Sequence, residues 1–275
     1  MQVIIGRIIY GIDNFSGVPN PTHQLYTFYG SYIAIAFGWG VAYVAGMTVA
    51  GGVSGGHLNP AVTLAALIFD SDSSKALQSN GISIIFVYFA VQFLGAAVGG
   101  AIAFSLHVDN IHHFDQYAPY QSAIGLTTLP TSHDIDIYVL TCEQFLGCIM
   151  LQIVFSAASD TKVWCIHKAA APFLIGVAVT TIMLACGVYS YVALNPARDF
   201  APRILCAIAG YGREIWTDGP YFFFIPLFVP FIGCLIGGLI YSCLISCLMP
   251  EPAPAKPSEL SEQIVALSQK FDELK

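Results

Sequence analysis

Two short segments place the same chemistry at two distant points of the chain. Residues 55–63 read GGHLNPAVT and residues 192–200 read VALNPARDF, so that Asn195 follows Asn59 by 136 positions. Asparagine is a preferred N-cap of a helix, and proline is favoured at the first helical position because its missing N–H is not needed there. Both asparagines are therefore predicted to start a helix inside an apolar run, with carboxamides that donate hydrogen bonds to a passing oxygen atom.

Arg198 follows the second asparagine by three positions and also lies in an apolar run. A guanidinium in such surroundings costs about 2.5–3.5 kcal/mol on membrane-insertion scales, so it is expected to face a cavity. It offers five fixed N–H donors and stays charged. Two interpretations stay open: a donor in a pore, or a structural ion pair with Asp199 or Glu143.

The composition indicates an integral membrane protein. The chain has 275 residues, of which 56% are hydrophobic and 10% charged, whereas a soluble domain carries roughly 25% charged residues. Its mean hydropathy is +0.69. The net charge of −7 at pH 7 does not favour a nucleic-acid partner, and no cofactor or metal site is expected. The eight cysteines form no CxxC motif and are interpreted as small buried hydrophobic residues.

Apolar runs predict the helices that carry these residues. A helix needs roughly 20 residues to cross a bilayer, and five runs are long enough: about Tyr29–Val49, Ile82–Leu106, Tyr138–Ala158, Ala169–Tyr189 and Tyr221–Leu248. Two shorter runs, Pro60–Phe69 and Pro196–Ile208, follow the asparagines. At about 1.5 Å per residue each crosses only half of the hydrocarbon core. We therefore predict an all-α membrane protein with two re-entrant half-helices.

The order of the segments predicts an inverted repeat. Three spans separate the half-helices, and this odd number makes them enter from opposite sides of the membrane. Broken helices that meet at the midplane are typical of transport proteins, and irregular backbone at that depth survives only where it lines protein or water. Each half-helix tip carries about half a positive charge. Two facing tips would repel cations and select neutral polar solutes without any catalysis.

The segments SGGHLNPAVT and LNPARDFAPR resemble the major intrinsic protein family, and specifically its glycerol facilitator, or aquaglyceroporin, branch. The resemblance covers most of the chain, from about residue 28 to residue 248. It implies passive conduction of glycerol, other small neutral solutes and water, in a homotetramer within the lipid bilayer. Asp199, Arg203 and the pair Pro226-Leu227 in the last span match the glycerol branch.

The resemblance also assigns residues to the pore. Trp39, twenty positions before Asn59, matches the aromatic wall of the outer constriction, and it is expected to pack the carbon side of a polyol while Arg198 binds the hydroxyls. His57, in the first motif, is counted among the pore-contacting residues. Glu143 is expected to be a buried acceptor that holds the loop before a half-helix.

One pore position departs from the family pattern. The family often has an aromatic residue three positions before the second asparagine, and this chain has Val192 there, with Tyr191 beside it. The constriction is therefore expected to be wider and less aromatic than usual, or to be lined by Tyr191.

The loops predict the orientation in the membrane. Loop 106–137 carries acidic residues and histidines but no lysine or arginine, whereas short loops carry Lys75, Lys162 and Lys168. The positive-inside rule places these lysines and the C-terminus in the cytoplasm. The plasma membrane is the expected location. Asn14 begins an Asn-Phe-Ser glycosylation sequon that this topology places outside.

Residues 1–250 are predicted to form a channel domain, with a first repeat of about 1–106 and a second of about 138–248. Residues 251–275 are predicted to be a cytosolic proline-rich linker and a short amphipathic tail. The family has six spans, and only Gln2–Ile12 is available as a remnant of the first. An alternative is therefore a truncated, non-conducting structural or regulatory isoform.

Two other classes of protein share single features with this chain. Residues 52–56 match the G-x-S-x-G pattern of serine hydrolases, but that pattern needs a preceding strand, and a transmembrane run precedes it here, so no enzyme is expected. Secondary transporters also use broken helices, but this chain has few acidic residues in its spans for ion coupling.

Overall fold

The computed structural model describes residues 32–70, 79–115, 121–132, 134–160, 167–217, 219 and 221–249, with three single positions in the tail (267, 269 and 272). In chain order, its α-helices are α1 (Tyr32–Ser54), α2 (Pro60–Phe69), α3 (Ser83–Leu106), α4 (Val108–Asp115), α5 (Ile137–Ser159), α6 (Ala171–Cys186), α7 (Pro196–Ile208), α8 (Glu214–Thr217) and α9 (Phe224–Leu244). The described residues contain no β-strand. The predicted all-α class is confirmed.

Four helices are long and apolar enough to cross a membrane: α1, α3, α5 and α9, the last counted with its continuation to Leu248. The fourth predicted span is shorter than expected, because α6 has 16 residues and ends at Cys186 rather than at Tyr189. The chain leaves the helix there because the Tyr189 N–H donates to the Glu143 carboxylate at 2.8 Å instead of to the preceding turn. The outward faces of the spans are apolar, as in α3, where Phe86 is 67% exposed and Leu94 is 65% exposed.

Glycines set the helix crossings. Helix α1 crosses α6 at Gly40 and Gly176, where a Cβ atom on Gly40 would lie 2.5 Å from the Gly176 carbonyl oxygen. Helix α5 packs on α9 in the same way, since a Cβ atom on Gly237 would lie 2.6 Å from the Ile149 carbonyl oxygen. The GxxxG pair in α9 therefore packs within one subunit, as small residues do in membrane bundles.

Each half-helix packs on the last span of the opposite repeat. Helix α2 lies against α9, where a Cβ atom on Gly238 would meet the Phe69 ring at 2.5 Å. Helix α7 lies against α3, where a Cβ atom on Gly100 would meet the Pro202 side chain at 3.3 Å. This exchange brings the N-termini of α2 and α7 together in the interior, and it matches the predicted inverted-repeat architecture.

Several predictions fall outside the described residues. These are the remnant of a first span at Gln2–Ile12, the sequon at Asn14, the lysines at 75 and 162, and nearly all of the tail at 251–275. They stay predictions.

Candidate functional site

The two asparagines cap their half-helices with the same local geometry. The Asn59 Oδ1 accepts a hydrogen bond from the Ala61 N–H at 2.9 Å. The Asn195 Oδ1 accepts from the Ala197 N–H at 3.0 Å and from the Arg198 N–H at 3.2 Å. Each side chain thereby satisfies N–H groups that the first helical turn leaves without a partner.

The two tips are also tied to each other. The Asn59 Nδ2 donates to the Leu194 carbonyl at 2.8 Å, and the Asn195 Nδ2 donates to the Leu58 carbonyl at 2.8 Å. Leu58 (φ 54°) and Leu194 (φ 59°) both adopt left-handed backbone conformations, which are unfavourable for a leucine. The reciprocal bonds stabilise these two strained residues. Since a carboxamide nitrogen carries two hydrogens, each asparagine keeps one donor for another group.

Arg198 lies against Trp39. The guanidinium carbon is 4.3 Å from the centroid of the Trp39 ring, a distance at which the cation is attracted by the face of the ring. The Arg198 Nη1 is buried and makes no hydrogen bond in the part of the chain that the structure describes. Its distance to the Asp199 Oδ1 is 4.0 Å, which is beyond a hydrogen bond. The guanidinium therefore retains a donor for an oxygen atom beside the indole ring.

Asp199 is instead paired with Arg203. The Arg203 Nε and Nη2 donate to the Asp199 Oδ2 at 3.1 and 2.9 Å, and both side chains are almost completely buried. Arg203 also donates to the carbonyls of Thr128 and Ile215, each at 2.6 Å. The Asp199 Oδ1 accepts from the Thr127 hydroxyl at 2.8 Å and from the Thr128 N–H at 2.7 Å. A bidentate buried pair thus attaches the loop after α4 to helix α7.

Glu143 and Gln144 hold the backbone that leads into α7. The Glu143 carboxylate accepts from the Tyr189 N–H at 2.8 Å and from the Ser190 hydroxyl at 2.7 Å. The Gln144 Oε1 accepts from the Leu194 N–H at 3.1 Å. These bonds fix the irregular segment before Asn195, and they account for both oxygens of Glu143 without Arg198.

The side chains of Val192 and Tyr191, which are neighbours in the chain, lie in different surroundings. The Val192 side chain is buried, and a Cβ atom on Gly147 would lie 3.6 Å from one of its methyl groups. The Tyr191 ring meets the Tyr32 ring edge-on with centroids 5.6 Å apart. The predicted role of either residue in a constriction is not tested by these contacts.

His57 and the pair Pro226-Leu227 occupy different surroundings. The His57 ring is buried, with the Tyr88 and Phe155 rings each 5.5 Å away. Its Nδ1 makes no hydrogen bond among the described residues. Pro226 is buried in the first turn of α9, and Leu227 beside it is half-buried.

A cavity of about 700 Å³ runs along α3 and reaches both half-helix tips. Its wall on α3 extends from Val87 to Ala103 and is mostly apolar. Its other wall includes Trp39, His57, Leu58, Asn195 and Arg198. The cavity therefore combines a long apolar wall with a few polar groups at the tips, as small-molecule sites commonly do.

Sequence reasoning missed some residues of this site. Thr127, Thr128 and Ile215 contact the Asp199–Arg203 pair through the fold alone, and no motif in the sequence marks them.

A family model for the major intrinsic proteins matches residues 8–241. The chain belongs to this family. Its family relatives include human Aquaporin-9, 34% identical over 204 residues, which are 72% of this chain and 66% of that protein. They also include Aquaglyceroporin-2 of Rhizophagus irregularis, 32% identical over 203 residues, which are 72% of this chain and 61% of that protein. These family members support the aquaglyceroporin branch, and this chain spans less than two thirds of their length.

A solved structure of the family shares the fold. The X-ray structure of the aquaglyceroporin from Plasmodium falciparum matches with a TM-score of 0.68 at 24% sequence identity. The match covers 90% of this chain and 92% of that chain. The inverted-repeat membrane bundle predicted from the sequence is thereby supported at the level of fold.

Proposed function

We propose that the chain forms a passive transmembrane channel for glycerol, other small neutral solutes and water, and that it is not an enzyme. The observation that carries this proposal is the pair of half-helix tips joined through Asn59 and Asn195. Each carboxamide keeps a donor after capping its helix and bonding the opposite loop. A solute oxygen between the tips can accept from both.

The electrostatics of the tips favour neutral solutes. The N-termini of α2 and α7 face each other, and each contributes a partial positive charge of about half a unit. The fixed charge of Arg198 adds to this field. A cation approaching the tips therefore meets repulsion, whereas a neutral hydroxyl meets hydrogen-bond donors.

The pairing of Trp39 with Arg198 suits a polyol. The Arg198 guanidinium carbon lies over the Trp39 ring, 4.3 Å from its centroid, so an apolar ring that can pack CH groups adjoins N–H groups that can donate to hydroxyls. We assign Arg198 to this filter because the Asp199 carboxylate is saturated by Arg203, Thr127 and Thr128. Asp199 and Arg203 then act as its structural support, and Glu143 as support for the Asn195 loop.

Family membership favours conduction over the alternative of a non-conducting structural or regulatory isoform. By the same membership we propose a homotetramer in the lipid bilayer. The positive-inside pattern supports a cytoplasmic C-terminus, with residues 1–250 as the channel domain and residues 251–275 as a cytosolic tail. The plasma membrane is the proposed location.

Stopped-flow light scattering of proteoliposomes tests this function. Vesicles that contain the purified chain are mixed with a glycerol gradient, and the rate of swelling is compared with that of protein-free vesicles of the same lipid. We expect faster glycerol and water equilibration with the protein. Equal rates, with the protein shown to be inserted and folded, would reject a channel.

A further inference from the structure

The cavity beside the half-helix tips has two different ends. One end lies near the start of α3, where the His57 and Tyr88 rings have centroids 5.5 Å apart. The other end lies near the end of α3, where Gly100 packs against Pro202 of α7. Arg198 lines the same cavity and precedes Pro202 by one helical turn. We call this second end, defined by Gly100, Arg198 and Pro202, the filter end.

Two residues of the loop after α4 complete the filter end. Gly125 and Leu126 line the cavity together with Arg198 and Pro202. The Leu126 side chain is 6% exposed and belongs to the hydrophobic core. Since Gly125 has no side chain, Leu126 is the described residue of this loop whose side chain occupies space in the cavity.

Hydrogen bonds hold the loop on both sides of Leu126. On the N-terminal side, the Asp115 carboxylate accepts from the Ser122 N–H at 3.3 Å and from the Ser122 hydroxyl at 2.7 Å. On the C-terminal side, the Asp199 Oδ1 accepts from the hydroxyl of Thr127, the next residue in the chain, at 2.8 Å. A side chain on a backbone that is fixed in this way keeps its position when a solute arrives.

We infer that Leu126 sets the size of the solute that the filter end admits. This inference rests on the proposed channel function and adds a specificity-determining residue to it. Trp39 and Arg198 offer an apolar ring and N–H donors, which select the chemistry of the solute. Leu126 has no polar side-chain group, so its contribution is the space that it occupies. Glycerol is admitted, whereas longer and branched polyols are retarded because they would have to displace a side chain that is held in place.

The variant Leu126→Ala removes most of the side chain and tests this inference in the stopped-flow assay. Because one carbon group in an apolar pocket changes discrimination by about tenfold or more, we expect the permeability ratio of erythritol to glycerol to rise roughly tenfold. The matched control is Leu129→Ala, which makes the same change in the same loop, at a buried position outside the described lining of the cavity. Its ratio should equal that of the unaltered chain.

A second variant changes the volume in the opposite direction. Leu126→Phe adds volume at the filter end and should lower the ratio of erythritol to glycerol permeability. It decides the inference if Leu126→Ala does not insert into the vesicles.

Every outcome of this comparison is informative. An unchanged ratio in the inserted Leu126 variants, while the unaltered chain conducts glycerol, overturns the inference and leaves the channel function standing. An equal rise in Leu126→Ala and Leu129→Ala shows that any loosening of the loop admits erythritol, which also overturns it. If the unaltered chain does not exceed protein-free vesicles, the channel function fails and the inference fails with it.

Discussion

The two half-helix tips share a backbone design but differ in the groups that hold them. Each tip has a capping asparagine, a leucine in a left-handed conformation, and a carbonyl that accepts from the opposite asparagine. The first tip is supported by neutral groups, since the Gln92 Nε2 donates to the Thr63 hydroxyl at 2.8 Å and that hydroxyl donates to the Asn59 carbonyl at 2.9 Å. The second tip is supported by Asp199 and Arg203.

This difference shows that symmetry of fold does not impose symmetry of chemistry. Asp199 and Arg203 are the counterparts of Thr63 and Leu67, each 136 positions later in the chain. Among the described residues, the second tip has a buried pair between Asp199 and Arg203, and the neighbouring Arg198 lies over the Trp39 ring. The two tips therefore share their backbone contacts, whereas the residues of the proposed filter lie at the second tip.

The largest expected effect comes from breaking the ion pair at the second tip. Arg203→Met keeps most of the side-chain volume but leaves the Asp199 carboxylate buried without its cation. Removal of one partner from a buried pair costs about 3–5 kcal/mol. We expect a loss of this size in the free energy of unfolding, measured by denaturant titration in mixed micelles. A loss below about 1 kcal/mol would show that the second tip does not depend on the pair.

The next largest effect is expected on the solute selectivity of the second tip, where Arg198 lies. Arg198→Ala removes the charged donor and widens the space beside Trp39. Hydrogen bonds to charged groups contribute about 1.5–3 kcal/mol, so the permeability ratio of erythritol to glycerol should rise roughly tenfold. Val62→Ala, at the counterpart position of the first tip, is the control and should keep the original ratio. An unchanged ratio in Arg198→Ala would remove Arg198 from the filter.

Because both tips have the same asparagine cap and the same bond to the opposite loop, substitution of either asparagine is expected to lower the stability equally. Asn59→Ala and Asn195→Ala each remove one cap and one bond to the opposite loop, which together contribute about 1–3 kcal/mol. We expect the two variants to lower the free energy of unfolding by similar amounts in the same denaturant titration. A clearly larger loss at one asparagine would mean that the tips are not equivalent even in their backbone.

The smallest loss of stability is expected when the neutral hydrogen bonds that support the first tip are removed. Thr63→Val keeps the shape of the side chain and removes the hydroxyl that bonds Gln92 and the Asn59 carbonyl. The expected loss is about 1 kcal/mol, well below that of Arg203→Met, and it is measured as a shift of the same unfolding curve. A loss as large as that of Arg203→Met would contradict the contrast between neutral and charged support.

Much of this arrangement could be predicted from the sequence because its signals are local. Asn-Pro marks a helix start within two residues, and both half-helices begin and end where the sequence predicts, at Pro60–Phe69 and Pro196–Ile208. Apolar length predicted the long spans for the same reason. The early end of α6 was not predictable, because it depends on the Glu143 carboxylate from another helix.

The chemistry of the tips was predictable only in part. The neighbourhood of Asn195 and Arg198 follows from one motif, whereas the bonds of Arg203 to Thr128 and Ile215 join residues 75 and 12 positions away. Such contacts depend on how α4, α7 and α8 pack. No residue type in the loop after α4 indicates them in the sequence.

The most direct test of a neutral-solute channel combines solute and ion permeability in one preparation. Proteoliposomes that enclose a pH-sensitive dye receive a glycerol gradient and, separately, a pH gradient with a membrane potential clamped by potassium and valinomycin. We expect glycerol to equilibrate faster than in protein-free vesicles, while the pH gradient decays at the protein-free rate. Rapid decay of the pH gradient, or glycerol equilibration no faster than without protein, would contradict a channel that selects neutral solutes at two joined asparagine tips.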